Sequence, residues 1–209
     1  MRFETISRML CAGALVVLAA CSSTRITNAW QDPQWKAEPY RKLLVITVSK
    51  EAGIRRTYET VFTDRLREAG VSATPSYTLI AEDGPVSEER IRQEVGKIGA
   101  DAILMTRLVR TERRTSVSPG YVMGVPAVGY WGGWYGFYSA AWAVPPSYNQ
   151  YDVVTLETNI WDAKTNKLVW SGTTETVDPA SVNQVANELS ALLVKEMRER
   201  RVIPIAAAR

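Results

Sequence analysis

The residues that could carry chemistry are few: two cysteines, Cys11 and Cys21, scattered carboxylates, and no histidine at all. Without histidine the chain lacks the Ser-His-Asp arrangement, the commonest general base and the usual zinc ligand. No Gly-x-x-x-x-Gly-Lys-[Ser/Thr] phosphate loop is present, and no Gly-x-Gly-x-x-Gly follows a strand-like segment. Carboxylate pairs such as Glu157 with Asp152, or Asp101 with Glu112, could act together only if the fold brings them close. Acids on amphipathic elements are more often solvated or ion-paired. Ser171-Gly172 and Ser118-Pro119-Gly120 read as turn chemistry rather than as activated nucleophiles. The expectation is therefore no catalytic residue, no cofactor and no metal.

The cysteines acquire a role from the segment around them. Residues 1–20 open with Arg2 and Arg8, continue through the apolar run Met9–Ala20 and end in small residues before Cys21, the layout of an export signal. The run is too short for a transmembrane helix, which needs about 20 apolar residues. Leu18-Ala19-Ala20-Cys21 resembles the bacterial lipobox, in which the cysteine receives a diacylglycerol thioether and becomes the mature N-terminus. Each buried methylene contributes about 0.8 kcal/mol, so two or three acyl chains anchor stably where one does not. On this reading Cys11 lies in the discarded segment and Cys21 would be lipidated, so the mature chain is expected to keep no thiol for a disulfide, a metal or a nucleophile. Ser22 follows the cysteine instead of the aspartate that commonly retains such proteins at the inner membrane. The resemblance thus points to the outer membrane, on its periplasmic face.

The 209-residue chain without its first 20 residues suits one sizeable core and is marginal for two. Its formal net charge is +3, and its Lys and Arg residues are scattered rather than gathered in a stripe, which gives no support to nucleic-acid binding. Residues 21–40, with Pro33 and Pro39, read as a lipidated tether, 41–203 as one α/β domain, and 204–209 as a tail. Within the tether, Trp30 and Trp35 are expected to pack on the domain rather than to sit at lipid headgroups.

Within the domain, Leu43–Val48 is a continuous apolar run and predicts a strand buried on both faces. Tyr58, Val61, Phe62, Leu66 and Ala69 recur at helical spacing, with Gly70 as a stop. Val71–Leu79, broken by Pro75, predicts a strand at or near an edge. Ser87 is placed to cap a helix carrying Glu88 and Glu89 in its first turn and Ile91, Val95 and Ile98 as its stripe. Gly99-Ala100-Asp101 ends that helix, and Ala102–Val109 begins a central strand. Tyr151–Trp161 and Lys167–Val177 flank the polar loop Asp162–Asn166 as antiparallel neighbours. Val182, Val185, Ala186, Leu189, Leu192, Leu193 and Met197 mark a long amphipathic helix. The order β-α-β-α-β, insertion, β-β-α predicts an α/β, α+β-like fold: a mixed sheet with its helices packed on one face.

The insertion, residues 115–150, is unlike the rest. No Lys, Arg, Asp or Glu occurs between Arg114 and Asp152, while Tyr130, Trp131, Trp134, Tyr135, Phe137, Tyr138 and Trp142 crowd among repeated Gly and Pro. Those glycines and prolines oppose regular structure. Three readings are open. The segment is a surface excursion folding back on the sheet, an aromatic surface meeting a partner protein or the membrane interface, or a membrane-inserting hairpin, for which the required alternation is poorly met.

Lys42–Ser49, Val71–Tyr77, Gly99-Ala100-Asp101-Ala102, Arg113–Gly120 and Tyr151–Thr176 together resemble the bacterial lipoprotein family catalogued as domain of unknown function 4136. The resemblance is most specific at Gly-Ala-Asp-Ala and at Trp161-Asp162-Ala163 through Leu168-Val169-Trp170-Ser171-Gly172. No reaction is assigned to that family. The element order is also similar to the amino-terminal domain of the Tol-system translocation protein and to the curli-secretion lipoprotein. These resemblances imply a non-catalytic envelope scaffold or adaptor that contacts the membrane through lipid on Cys21 and meets an envelope protein, with Tyr130–Trp142 as the contact surface. The alternative is a lipid or apolar-ligand binder in which Trp131, Trp134 and Trp142 line a pocket with the sheet.

Overall fold

The structure, a computed structural model, describes residues 24–36, 38–81, 84–118, 121–122, 143–144 and 147–205. Cys21 and the aromatic residues from Tyr130 to Trp142 lie outside the described residues. The described chain forms β1 (Thr24–Gln31), β2 (Lys42–Val48), α1 (Ala52–Glu68), β3 (Ser72–Pro75), α2 (Glu88–Ile98), β4 (Ala102–Ser118), β5 (Tyr121–Val122), β6 (Ala143–Val144), β7 (Ser147–Asp162), β8 (Leu168–Val177) and α3 (Val182–Glu199). Six strands make one mixed sheet in the order β1-β8-β7-β4-β2-β3. β2 runs parallel to β3 and β4, and the remaining pairs are antiparallel.

The expected mixed α+β sheet is present, with one refinement in how helices cover it. β2 is apolar at successive positions, and successive strand residues point to opposite faces, so both faces need cover. Leu43 and Val45 join the larger core with Phe62 and Leu66 of α1 and Leu189, Leu193 and Met197 of α3. Leu44 and Ile46 meet Ile91, Val95 and Ile98 of α2 on the opposite face. The helices are therefore divided between the faces instead of sharing one.

Local signals account for the element ends. The Ser87 hydroxyl accepts the Arg90 N–H, capping α2, and Gly99 closes that helix at φ 62°. Gly70, at φ 85°, turns the chain from α1 into β3. Ser181 caps α3 by accepting the Gln184 N–H.

Residues 24–31, expected as part of a tether, form an edge strand. Thr24 pairs with Thr176 and Gln31 with Trp170, and a bulge at Thr27 resets the register. The polar composition concealed this because only alternate side chains turn inward: Thr24 is buried and Ile26 packs against the core. Trp35 packs there too and stacks in a tilted arrangement on Tyr40, with ring centroids 5.6 Å apart. Trp30 remains 42% exposed.

The motif Trp170-Ser171-Gly172 has a packing explanation. Trp170 is fully buried, and its indole lies where a Cβ on Gly172 would stand. That Cβ would come within 2.9 Å of Trp170 Cζ2 and 3.1 Å of Leu193 Cδ2, and closer still to Cη2. Gly172→Ala is therefore expected to destabilise the domain by about 1–3 kcal/mol through overpacking. A chemical denaturation midpoint unchanged from wild type would contradict this.

Candidate functional site at the ribbon end of the sheet

β4 and β7 outrun their neighbours. β2 ends where Val48 lies opposite Arg107, and β8 ends where Val177 lies opposite Val153. Beyond these points β4 and β7 pair only with each other, from Arg113 opposite Asp152 to Ser118 opposite Ser147. At about 3.4 Å per residue this two-stranded ribbon projects roughly 20 Å past the sheet. Tyr121–Val122 and Ala143–Val144 then pair as a second, short ladder. The ribbon thus absorbs both margins of the segment read as insertion, and it delivers the chain into the charge-free aromatic residues 123–142.

The base of the ribbon is charged and internally paired. Arg25 contacts Glu175 at 3.0 Å, Arg114 bridges Glu175 at 3.3 Å and Glu112 at 3.0 Å, and Arg110 reaches Glu112 at 2.7 Å. Arg25 and, behind it, Arg114 hold the Glu175 carboxyl below the usual glutamate range. Asp152 binds Arg113 at 3.0 Å. Glu157 accepts hydrogen bonds from Asn159 and Arg107, which likewise hold it low.

Those partners decide the fate of the carboxylate pairs. Glu157 and Asp152 each face their own arginine, and as positions an odd number apart on one strand they project to opposite faces. Asp101 sits at the far end of β4 from Glu112, roughly 35 Å away along the strand. Neither pair converges, and each of these carboxylates is engaged by its own partners: Glu157 by Arg107, Asp152 by Arg113, Glu112 by Arg110 and Arg114, and Asp101 by the Arg41 and Lys42 amides. Among the described residues no three potential metal ligands cluster.

Asp101 and Asp162 explain the other specific motifs. The Asp101 carboxylate accepts the Arg41 and Lys42 amides at 2.9 and 3.0 Å, which fixes the start of β2. Asp162 accepts the amides of Lys164 and Thr165 and the Thr165 hydroxyl, shaping the β7–β8 turn, and also accepts the Tyr40 hydroxyl at 2.8 Å. Partial burial alone would raise the Asp162 pKa, but the Thr165 amide and the Tyr40 hydroxyl outweigh it and keep it low. Burial and the neighbouring Asp162 push the Tyr40 hydroxyl up.

Three features meet at the ribbon end. Thr24 begins β1 opposite Thr176, level with the base of the ribbon, and its hydroxyl contacts Glu188 of α3 at 2.6 Å. Cys21 lies three residues before it. Also here is an apolar groove of about 590 Å³ between the first turns of α1 and α3, lined by Ile54, Tyr58, Leu108, Leu156, Val182 and Val185. Val48, Leu108 and Val182 are exposed along it. Sequence reading missed this groove, because Val182 counted there as part of the α3 core stripe. A second cleft of about 640 Å³ separates α2 from the opposite face near Trp161.

Among the described residues no helix is long and apolar enough to cross a membrane. No family model matches the chain, and no curated relative matches it. Among solved structures, the PelC dodecamer from Paraburkholderia phytofirmans is similar at a TM-score of 0.47 and 13% identity, covering 87% of this chain and 99% of that one. Lipoprotein GNA1162 from Neisseria meningitidis is similar at a TM-score of 0.39 and 13% identity, covering 76% and 99% respectively. These likenesses assign no activity or partner to the chain.

Proposed function

We propose that the protein is a non-catalytic envelope adaptor, anchored in the outer membrane by lipid on Cys21, with its α+β domain in the periplasm. The observation that carries this reading is the placement of Thr24 level with the base of the β4–β7 ribbon. The first described residue after the proposed anchor and the β4–β7 ribbon that flanks the aromatic segment thereby share one end of the domain. An acylated cysteine three residues before Thr24 holds that end within about 10 Å of the lipid surface, since extended chain spans about 3.3 Å per residue. On this reading Tyr130, Trp131, Trp134, Tyr135, Phe137, Tyr138 and Trp142 supply the contact, since aromatic side chains suit the membrane interface or a membrane-embedded partner. The paired arginines at the ribbon base form the polar boundary of that surface.

Deletion of Pro119–Ser147 tests the adaptor role. Acylation and the fold should persist, while crosslinks to an envelope protein disappear and binding of the protein to liposomes weakens. Unchanged pull-down and liposome profiles would overturn it. The groove between α1 and α3 favours a second reading, lipid binding, in a place other than the aromatic segment.

A further inference from the structure

We infer that the groove between the first turns of α1 and α3 binds one acyl chain of an anionic, single-chain amphiphile such as a fatty acid. The inference rests on the ribbon end facing the membrane, which would present the groove to lipid.

Size and lining come first. About 590 Å³ falls within the range of small-ligand sites, and the walls carry Ile54, Tyr58, Leu108, Leu156, Val182 and Val185. Among the described residues, large apolar side chains left exposed on the domain include Leu108 at 55%, Val48 at 56% and Val182 at 38%, and all three line this one groove. A contiguous exposed apolar patch is more than solubility requires and marks a site of contact.

The charge at the mouth selects the head group. Both helices start at the groove, and neither has a carboxylate in its first turn. No side chain caps α1, whose N-cap position is Glu51, and Glu51 and Ile54 both line the groove, so the positive end of the α1 dipole lies beside it. Lys50 lines the rim without an ion-pair partner among the described residues, whereas Arg107 is held by Glu157. Glu51 is the one carboxylate among the lining residues. A carboxylate head group beside Lys50 and the α1 amides, with its chain lying along Val182 and Leu108, matches this arrangement.

The test uses the processed, acylated protein reconstituted in phosphatidylcholine vesicles containing palmitic acid with a photoactivatable diazirine on its chain. Crosslinked peptides mapped by mass spectrometry should include the α1 start, the Leu108 region of β4 and the α3 start. Leu108→Glu with Val182→Glu should lower that labelling about tenfold, the loss expected when a few methylenes give up contact. Both positions are exposed, and an unchanged melting curve verifies the fold. Lys50→Gln should reduce labelling by palmitic acid while leaving that by the matching uncharged alcohol unchanged. Labelling confined to residues 119–147 would overturn the groove and leave the membrane-facing end intact. Labelling only at the opposite end, near Asp101 and Asp162, would overturn both. A crosslink from the groove to the chain's own aromatic segment, or to a second copy, in place of lipid would also overturn the inference.

Discussion

Glu59→Ala is expected to destabilise the domain by about 3–5 kcal/mol, the usual cost of breaking a buried ion pair from one side. Glu59 is fully buried and Arg55 nearly so, one helical turn apart at 3.1 Å on α1. The Glu59 carboxylate also accepts the Thr47 amide at 3.0 Å, the Ser76 hydroxyl at 2.8 Å and the Tyr77 amide at 2.9 Å. Arg55 donates onward to Ser76 Oγ at 2.9 Å and the Ile80 carbonyl at 3.0 Å. One carboxylate thereby ties α1 to the end of β2 and to the turn after β3. Its removal leaves a buried guanidinium uncompensated and two amides without their acceptor. The melting temperature should fall by roughly 10 °C for a domain of this size. A fall of only a degree or two would show that the network adds little beyond helix propensity.

Trp170→Ala should cost a similar amount, about 3–5 kcal/mol, by a different mechanism. Trp170 is fully buried on β8, against Gly172 and Leu193 of α3, and its indole nitrogen has no hydrogen-bond partner. The loss is therefore one of packing, and it scales with the cavity left behind. The paired substitution with Gly172→Ala offers a diagnostic: a methyl at 172 should fill part of that space, so the double variant should be more stable than the sum of the single effects implies. Strict additivity would refute the proposed contact between these two positions.

Parts of this fold were legible because local and tertiary signals agree. Ser87, Gly70 and Gly99 mark helix ends through backbone chemistry that needs no distant partner. The apolar run Leu43–Val48 marks a strand covered on both faces, and that double cover, with α2 opposite α1 and α3, is what the expectation of helices on one face did not accommodate. Other parts depend on contacts remote in sequence. β1 is polar, and its inward positions are legible only once Thr24 meets Thr176 and Glu188, more than 150 residues away. Arg55 and Glu59 look in sequence like an ordinary solvated i,i+4 pair, and only the return of Ser76–Ile80 buries them. The motifs on which the family resemblance was read have structural roles in this fold: Asp101 and Asp162 cap backbone amides, and Gly172 makes room for an indole. The one chemical role expected from sequence, acylation of Cys21, rests on the position of that cysteine after an apolar run and lies outside the described residues.

That cysteine also supplies the most direct test of the proposed anchoring. Cys21→Ala, expressed in a Gram-negative host and followed by labelled palmitate incorporation and membrane fractionation, should abolish labelling and release or mislocalise the protein. A labelled variant, or one whose membrane fraction is unchanged, would contradict the lipid anchor and with it the membrane-facing end.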